Sequence, residues 1–142
     1  MFSKEESKKL RQEFWISFGK SFPRKWVLYN TKIKDFSFKF YFDTKKAMVV
    51  LDIEDEDLEK RIHYYEKMQS LESVLKENYL PEAIYEDIYF LDNGKEISRI
   101  FVLKDGVCIH NKNTWQETMV FLNETMAKFE EFFEDFQDFI KN

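Results

Sequence analysis

The chain has 142 residues and a formal net charge of −5, and its 16 Phe, 7 Tyr and 3 Trp stand against only 3 Gly and 2 Pro. That length carries one domain with a real core, and that composition excludes disordered, collagen-like and low-complexity classes. Net negative charge opposes non-specific binding to nucleic acid without excluding a local basic patch. A single cysteine, Cys108, cannot staple a fold, so a reducing compartment, the cytoplasm, is expected.

The start, Met1-Phe2-Ser3-Lys4, lacks an apolar run, so no signal peptide is expected. No stretch approaches the ~20 apolar residues that span a bilayer, and no membrane association is expected. Ser3 and Glu6 form a capping box, with Ser3 as N-cap. They open a helix to about residue 21 that carries Leu10, Phe14, Trp15, Phe18 and Phe22 on one stripe. Pro23 ends it, because the residue before proline resists the helical region. Residues 25–29 are short, aromatic and branched, which predicts a strand.

The stretch from Asp35 to Glu54 organises the rest. Phe36, Phe38, Phe40 and Phe42 alternate with Ser37, Lys39, Tyr41 and Asp43, so four phenylalanines line one strand face. After a turn at Asp43-Thr44-Lys45-Lys46, Ala47, Val49, Leu51 and Ile53 line one face of a second strand. The two runs predict an antiparallel hairpin with one buried face.

Asp55-Glu56-Asp57 opens a second helix, with acids where the helix dipole favours them. Leu58, Ile62, Tyr65, Met68, Leu71 and Leu75 make its expected core stripe, and Asn78-Tyr79-Leu80-Pro81 closes it. Residues 84–91 and 96–104 predict a second hairpin around Asp92-Asn93-Gly94-Lys95. Neither strand alternates cleanly, since Ile84, Ile88 and Phe90 compete with Tyr85, Tyr89 and Leu91 for the inner face. Val107-Cys108-Ile109 reads as a short final strand.

Asn113, with Gln116 three residues on, reads as the cap of a last helix that runs to about residue 139. Trp115, Met119, Leu122, Met126, Phe129, Phe133, Phe136 and Ile140 recur at steps of four and three, and Phe121, Phe132 and Phe139 widen the stripe. The width suits packing on the sheet or a homodimer seam. Such a helix spans about 40 Å against ~30 Å of strand, and the first helix is expected to cover the overhang. The expected fold is therefore a single α+β domain of order αβββαβββα, a mainly antiparallel sheet covered by helices.

Residues 3–20, Lys34 to Phe40 with Lys45 to Glu54, and residues 97–115 resemble the bacterial domain-of-unknown-function family 4268 over nearly the whole chain. Some longer members carry a nuclease-like domain, so the resemblance implies a defence or DNA context. It implies no reaction and carries over no catalytic residue.

Candidate chemistry is sparse. Asp35, Asp43, Asp52 and Glu54 flank the central hairpin, and the leading αβββαβ order matches the PD-(D/E)XK nuclease fold, with Asp35, Asp52 and Glu54 near its motif positions. Two such carboxylates could hold Mg²⁺, but Glu54 stands where that motif needs lysine. The other reading is solvation of strand ends and a helix-dipole cluster. His63, His110 and Cys108 fall short of a zinc set. Cys108 and His110 share a strand face without a third orienting group, and Cys108 reads as a small core residue. Three glycines cannot write a phosphate loop.

Lysine and arginine crowd the first half, including Lys8, Lys9, Arg11, Lys20, Arg24, Lys25, Lys32, Lys34, Lys45 and Lys46. This end could face nucleic acid, with Trp26 and Tyr29 as stacking aromatics; otherwise it complements the acidic last helix, within the fold or across a dimer. Arg99, mid-strand between Ile97 and Phe101, needs a carboxylate partner if buried, or serves a ligand. The reading is a non-catalytic binding or assembly module, with no cofactor, whose partner is another protein or a second copy. The alternatives are a degenerate metal-dependent nuclease relative and a nucleic-acid-binding module using Lys45, Lys46 and the basic half.

Overall fold

The order of elements in the computed structural model, which describes residues 2–24, 26 and 30–142, is α1 (Lys4–Ser21), β1 (Phe36–Phe42), β2 (Lys46–Ile53), α2 (Leu58–Ser70), α3 (Glu72–Asn78), β3 (Ile84–Phe90), β4 (Glu96–Asp105) and α4 (Trp115–Lys141). Apart from Trp26, the strand expected at residues 25–29 lies outside the described residues. The four strands form one antiparallel sheet in the order β1-β2-β4-β3. This is an α+β fold, roughly in the expected order.

The central hairpin forms in the register its alternation demands. Phe36, Phe38, Phe40 and Phe42 pair with Ile53, Leu51, Val49 and Ala47, and all eight point to one face. On that face Phe38 meets Phe129 at 5.2 Å and Phe133 at 5.9 Å, Phe14 meets Phe42 at 4.7 Å, and Phe18 meets Phe40 at 5.2 Å. α1 and α4 thus share the cover of β1. Ser3 caps α1 as its sequence requires, its hydroxyl accepting from the Glu6 N–H at 3.1 Å. The opposite face carries a smaller cluster, Met48, Val50 and Phe101 with Tyr41, Tyr89 and Leu103, all contributed by strands.

Several elements depart from expectation. The second helix breaks at Leu71, so α2 and α3 are separate. Tyr65, Met68, Leu71 and Leu75 are buried, but Leu58 and Ile62 are 53% and 44% exposed. They lie on the side of α2 that faces Ile88 across an open hollow rather than the core. Val107–Ile109 is not a strand: Gly106, at φ +75°, turns the chain away from the sheet. The segment is held by Ile109 N–H donating to the Asp43 carbonyl (2.9 Å) and by Trp115 Nε1 donating to the Ile109 carbonyl (2.9 Å). Cys108 and His110 therefore share no strand face, and Cys108 is half-buried rather than core.

The last helix is entered differently too. Asn111, not Asn113, accepts from a backbone N–H, that of Asn113 at 3.0 Å, and caps a short 3-10 turn (Lys112–Thr114) that feeds α4. Thr114, the residue before α4, makes no side-chain cap, because its hydroxyl is engaged by the backbone of Cys108.

The C-terminal overhang is covered by α2 and the segment after α3 rather than by α1. Tyr79 packs edge-on against Phe132 at 5.3 Å and donates its hydroxyl to Asp135 at 2.6 Å. Lys67 lies 4.4 Å over Phe139, and Ile140 is fully buried. α1 instead packs at the other end, where Phe14 meets Trp115 at 5.3 Å. Among the described residues, no helix is long and apolar enough to cross a membrane.

Candidate functional site

The strand face away from the helices carries an ion cluster. Asp52 on β2 pairs across with Arg99 on β4. Arg99 Nε donates to Asp52 Oδ1 at 2.6 Å and its NH2 to Oδ2 at 3.0 Å, a bidentate bridge between side chains only 8% and 1% exposed. Tyr89 closes over the guanidinium at 4.2 Å. Lys39 reaches Asp52 at 3.5 Å and Glu54 at 2.7 Å, and Lys95 reaches Glu54 at 3.8 Å. Burial works against the charge on Arg99 and Lys39, yet the carboxylates of Asp52 and Glu54 outweigh it and hold both above their ordinary pKa. Arg99 has the carboxylate its burial demands.

The acids singled out for a metal are not gathered on one point. Asp52 is committed to Arg99 and Lys39 on the strand face. Asp35 sits at the entry to β1 with φ +56°, its carbonyl accepting from the Glu54 N–H at 2.7 Å. Asp35 and Glu54 line a hollow of about 280 Å³ together with Lys34, Asp55, Glu56 and Lys95. Among the described residues, no three His, Cys, Asp or Glu side chains are grouped to hold a metal ion.

The basic residues are dispersed. Lys45 and Lys46 form the β1–β2 turn, and both backbone N–H groups donate to Asp43 Oδ1, at 2.7 and 2.9 Å. Lys45 is exposed and Lys46 half-buried. Trp26 is buried, 5.8 Å from Phe40 with Arg24 4.5 Å over its ring, so its face is already occupied. Tyr29 lies outside the described residues. Arg24 binds Glu130 of α4 at 2.6 Å and Lys112 binds Glu13 of α1 at 2.7 Å, so opposite charges meet within the fold. His63 is exposed beside Asp55, Asp57 and Tyr64, while His110 packs on Phe2 at 4.6 Å.

The feature not foreseen from sequence is a groove between α2 and β3. It encloses about 400 Å³ and is lined by Leu58, Ile62 and Tyr65 of α2, by Ile88, and by Glu66 and Asp87 at its rim. Arg61 stiffens its base: NH2 donates to Glu96 Oε2 at 2.6 Å and NH1 to the Glu96 carbonyl at 3.1 Å. Its Nε is the one buried side-chain nitrogen or oxygen among the described residues without a partner. Beside the groove, Ile88 and Phe90 of β3 are 53% and 63% exposed, while Ile84, paired with Phe101, is 39% exposed on the opposite face of the sheet. The sequence held one signal of this, the two competing alternations along residues 84–91.

A four-stranded antiparallel sheet with helices on one face, a buried ion bridge on the other and an apolar groove at one edge defines a small α+β domain. Residues 10–137 match the family model described as Domain of unknown function (DUF4268), and the chain belongs to that family. No curated protein and no solved structure matches it.

Proposed function

We propose that the protein is a non-catalytic binding module that docks a polypeptide partner on the α2–β3 edge. One observation carries this reading. Of the eight exposed large hydrophobic side chains among the described residues, four flank this groove: Leu58, Ile62, Ile88 and Phe90. Scattered apolar residues are ordinary on a surface, whereas a concentration beside a groove marks an interaction site. The ion cluster supports the non-catalytic half of the reading, because the Asp52 carboxylate is already paired with Arg99 and Lys39.

The test is affinity capture with the wild-type chain and the Ile62→Glu/Ile88→Glu variant, from cells that express the protein natively. The variant keeps its unfolding free energy in urea to within about 0.5 kcal/mol, as expected for surface positions, and loses the partner. Retention of the same partner by a folded variant would move the binding surface elsewhere.

A further inference from the structure

The charge around the groove restricts what can fill it. Its lining holds one cation, Arg61, and three acids, Glu66, Asp87 and Glu96. The charge of Arg61 is met by Glu96 through NH1 and NH2, while its Nε stays without a partner among the described residues. Glu66 and Asp87 have no ion-pair partner among the described residues, and neither does Glu86 on the same strand. The phenol of Tyr65 in the groove wall reports this field: burial, then the charges of Asp87, Glu72 and Glu86, push its pKa up to about 12. The site thus sets exposed apolar side chains, Leu58, Ile62 and Ile88, beside the unpaired acids Glu66 and Asp87.

Three occupants compete. A second copy could add β3 to β3 across a twofold axis, since β3 is an edge strand. A register centred between Glu86 and Asp87 would set acid against acid across the axis, and like charges directly opposite destabilise a strand pair. The bulge between Glu86 and Tyr89 also spoils the flat edge such pairing needs. A small molecule would fit about 400 Å³, but the exposed apolar surface continues past the groove to Phe90. A polypeptide covers both regions, and one with lysine or arginine beside its apolar anchors neutralises the rim.

Resting on the α2–β3 edge as the partner surface, we infer that its occupant is a basic amphipathic segment of another protein, whose apolar side chains enter the Leu58–Ile62–Ile88 groove while its cations meet Glu66 and Asp87. The groove selects by charge as well as by shape. An acidic amphipathic segment of the same apolar content is repelled.

Fluorescence anisotropy with three labelled three-turn peptides tests this on the full chain: one of leucine and lysine, one of leucine and glutamate, one of serine and lysine. The leucine–lysine peptide binds at least about tenfold tighter than either other, a factor set by 1.4 kcal/mol, and weakens with added salt. Glu66→Lys/Asp87→Lys loses that preference, and Ile62→Ser/Ile88→Ser loses binding, with circular dichroism and urea midpoints unchanged in both. Equal binding of the leucine–lysine and leucine–glutamate peptides, abolished by the Ile62/Ile88 change, overturns the charge inference and leaves the edge as the partner surface. Binding indifferent to the Ile62/Ile88 change overturns both. Equal binding of the serine–lysine peptide, or no binding of the leucine–lysine peptide, overturns the inference, as does self-association in sedimentation that the Ile62/Ile88 change abolishes.

Discussion

Asp52 and Arg99 show what one buried pair demands of its neighbours. Two charges removed from water are tolerated because the bridge is bidentate, because Lys39 adds a second cation and because Tyr89 covers the guanidinium. Removing one partner leaves the other charge buried. Arg99→Met is therefore expected to cost about 3–5 kcal/mol in urea denaturation, whereas Asp52→Leu/Arg99→Met together recover most of it. A single-variant loss below about 1 kcal/mol, within the range of surface pairs, would show that the bridge is solvated.

Asp43 gives the pH dependence. Burial pushes its carboxyl up, but the N–H groups of Lys45 and Lys46 and the Tyr41 hydroxyl outweigh it and hold the pKa below the ordinary 3.8. A depressed pKa in the folded state means that its stabilisation is present above about pH 4 and is lost as pH falls through the folded value. Urea midpoints across an acid series should fall more steeply for the wild type than for Asp43→Asn.

At the scale of elements, the central hairpin was legible and the second was not, for a physical reason. Phe36 to Phe42 and Ala47 to Ile53 keep one parity throughout, so a period of two names the buried face. In β3 a bulge between Glu86 and Tyr89 changes parity: Ile84 pairs with Phe101 and Tyr89 with Ile97, on one face of β4. No single alternation can describe that strand, which is why Ile84, Ile88 and Phe90 competed with Tyr85, Tyr89 and Leu91. Helical spacing likewise placed Leu58 and Ile62 on the core stripe, because spacing shows an apolar face without showing whether its cover belongs to the chain. Tyr79, which covers the end of α4, carried no periodic signal. Phe38→Ala is expected to cost about 3–5 kcal/mol, the range for a fully buried phenylalanine, since Phe38 is 2% exposed and touches both Phe129 and Phe133. A loss under about 1 kcal/mol would contradict the assigned inner face.

At the scale of the whole molecule, the basic first half and acidic last helix meet each other through Arg24 and Glu130. Asp52 and Glu54 beside the hairpin are met by Lys39, Lys95 and Arg99. Millimolar Mg²⁺ should leave the melting temperature unchanged, because a ligand that binds only the folded state must raise it. A rise that Asp52→Asn abolishes would favour the nuclease-relative reading. The α2–β3 edge keeps exposed apolar side chains beside acids that make no ion pair among the described residues. Photo-crosslinking tests it most directly, with a benzophenone side chain in place of Ile88 or, as a control on α1, of the equally exposed Ile16. The account predicts a discrete adduct with another protein from position 88 in native cells and none from position 16; adducts of equal yield from both positions, or from position 16 alone, would contradict it.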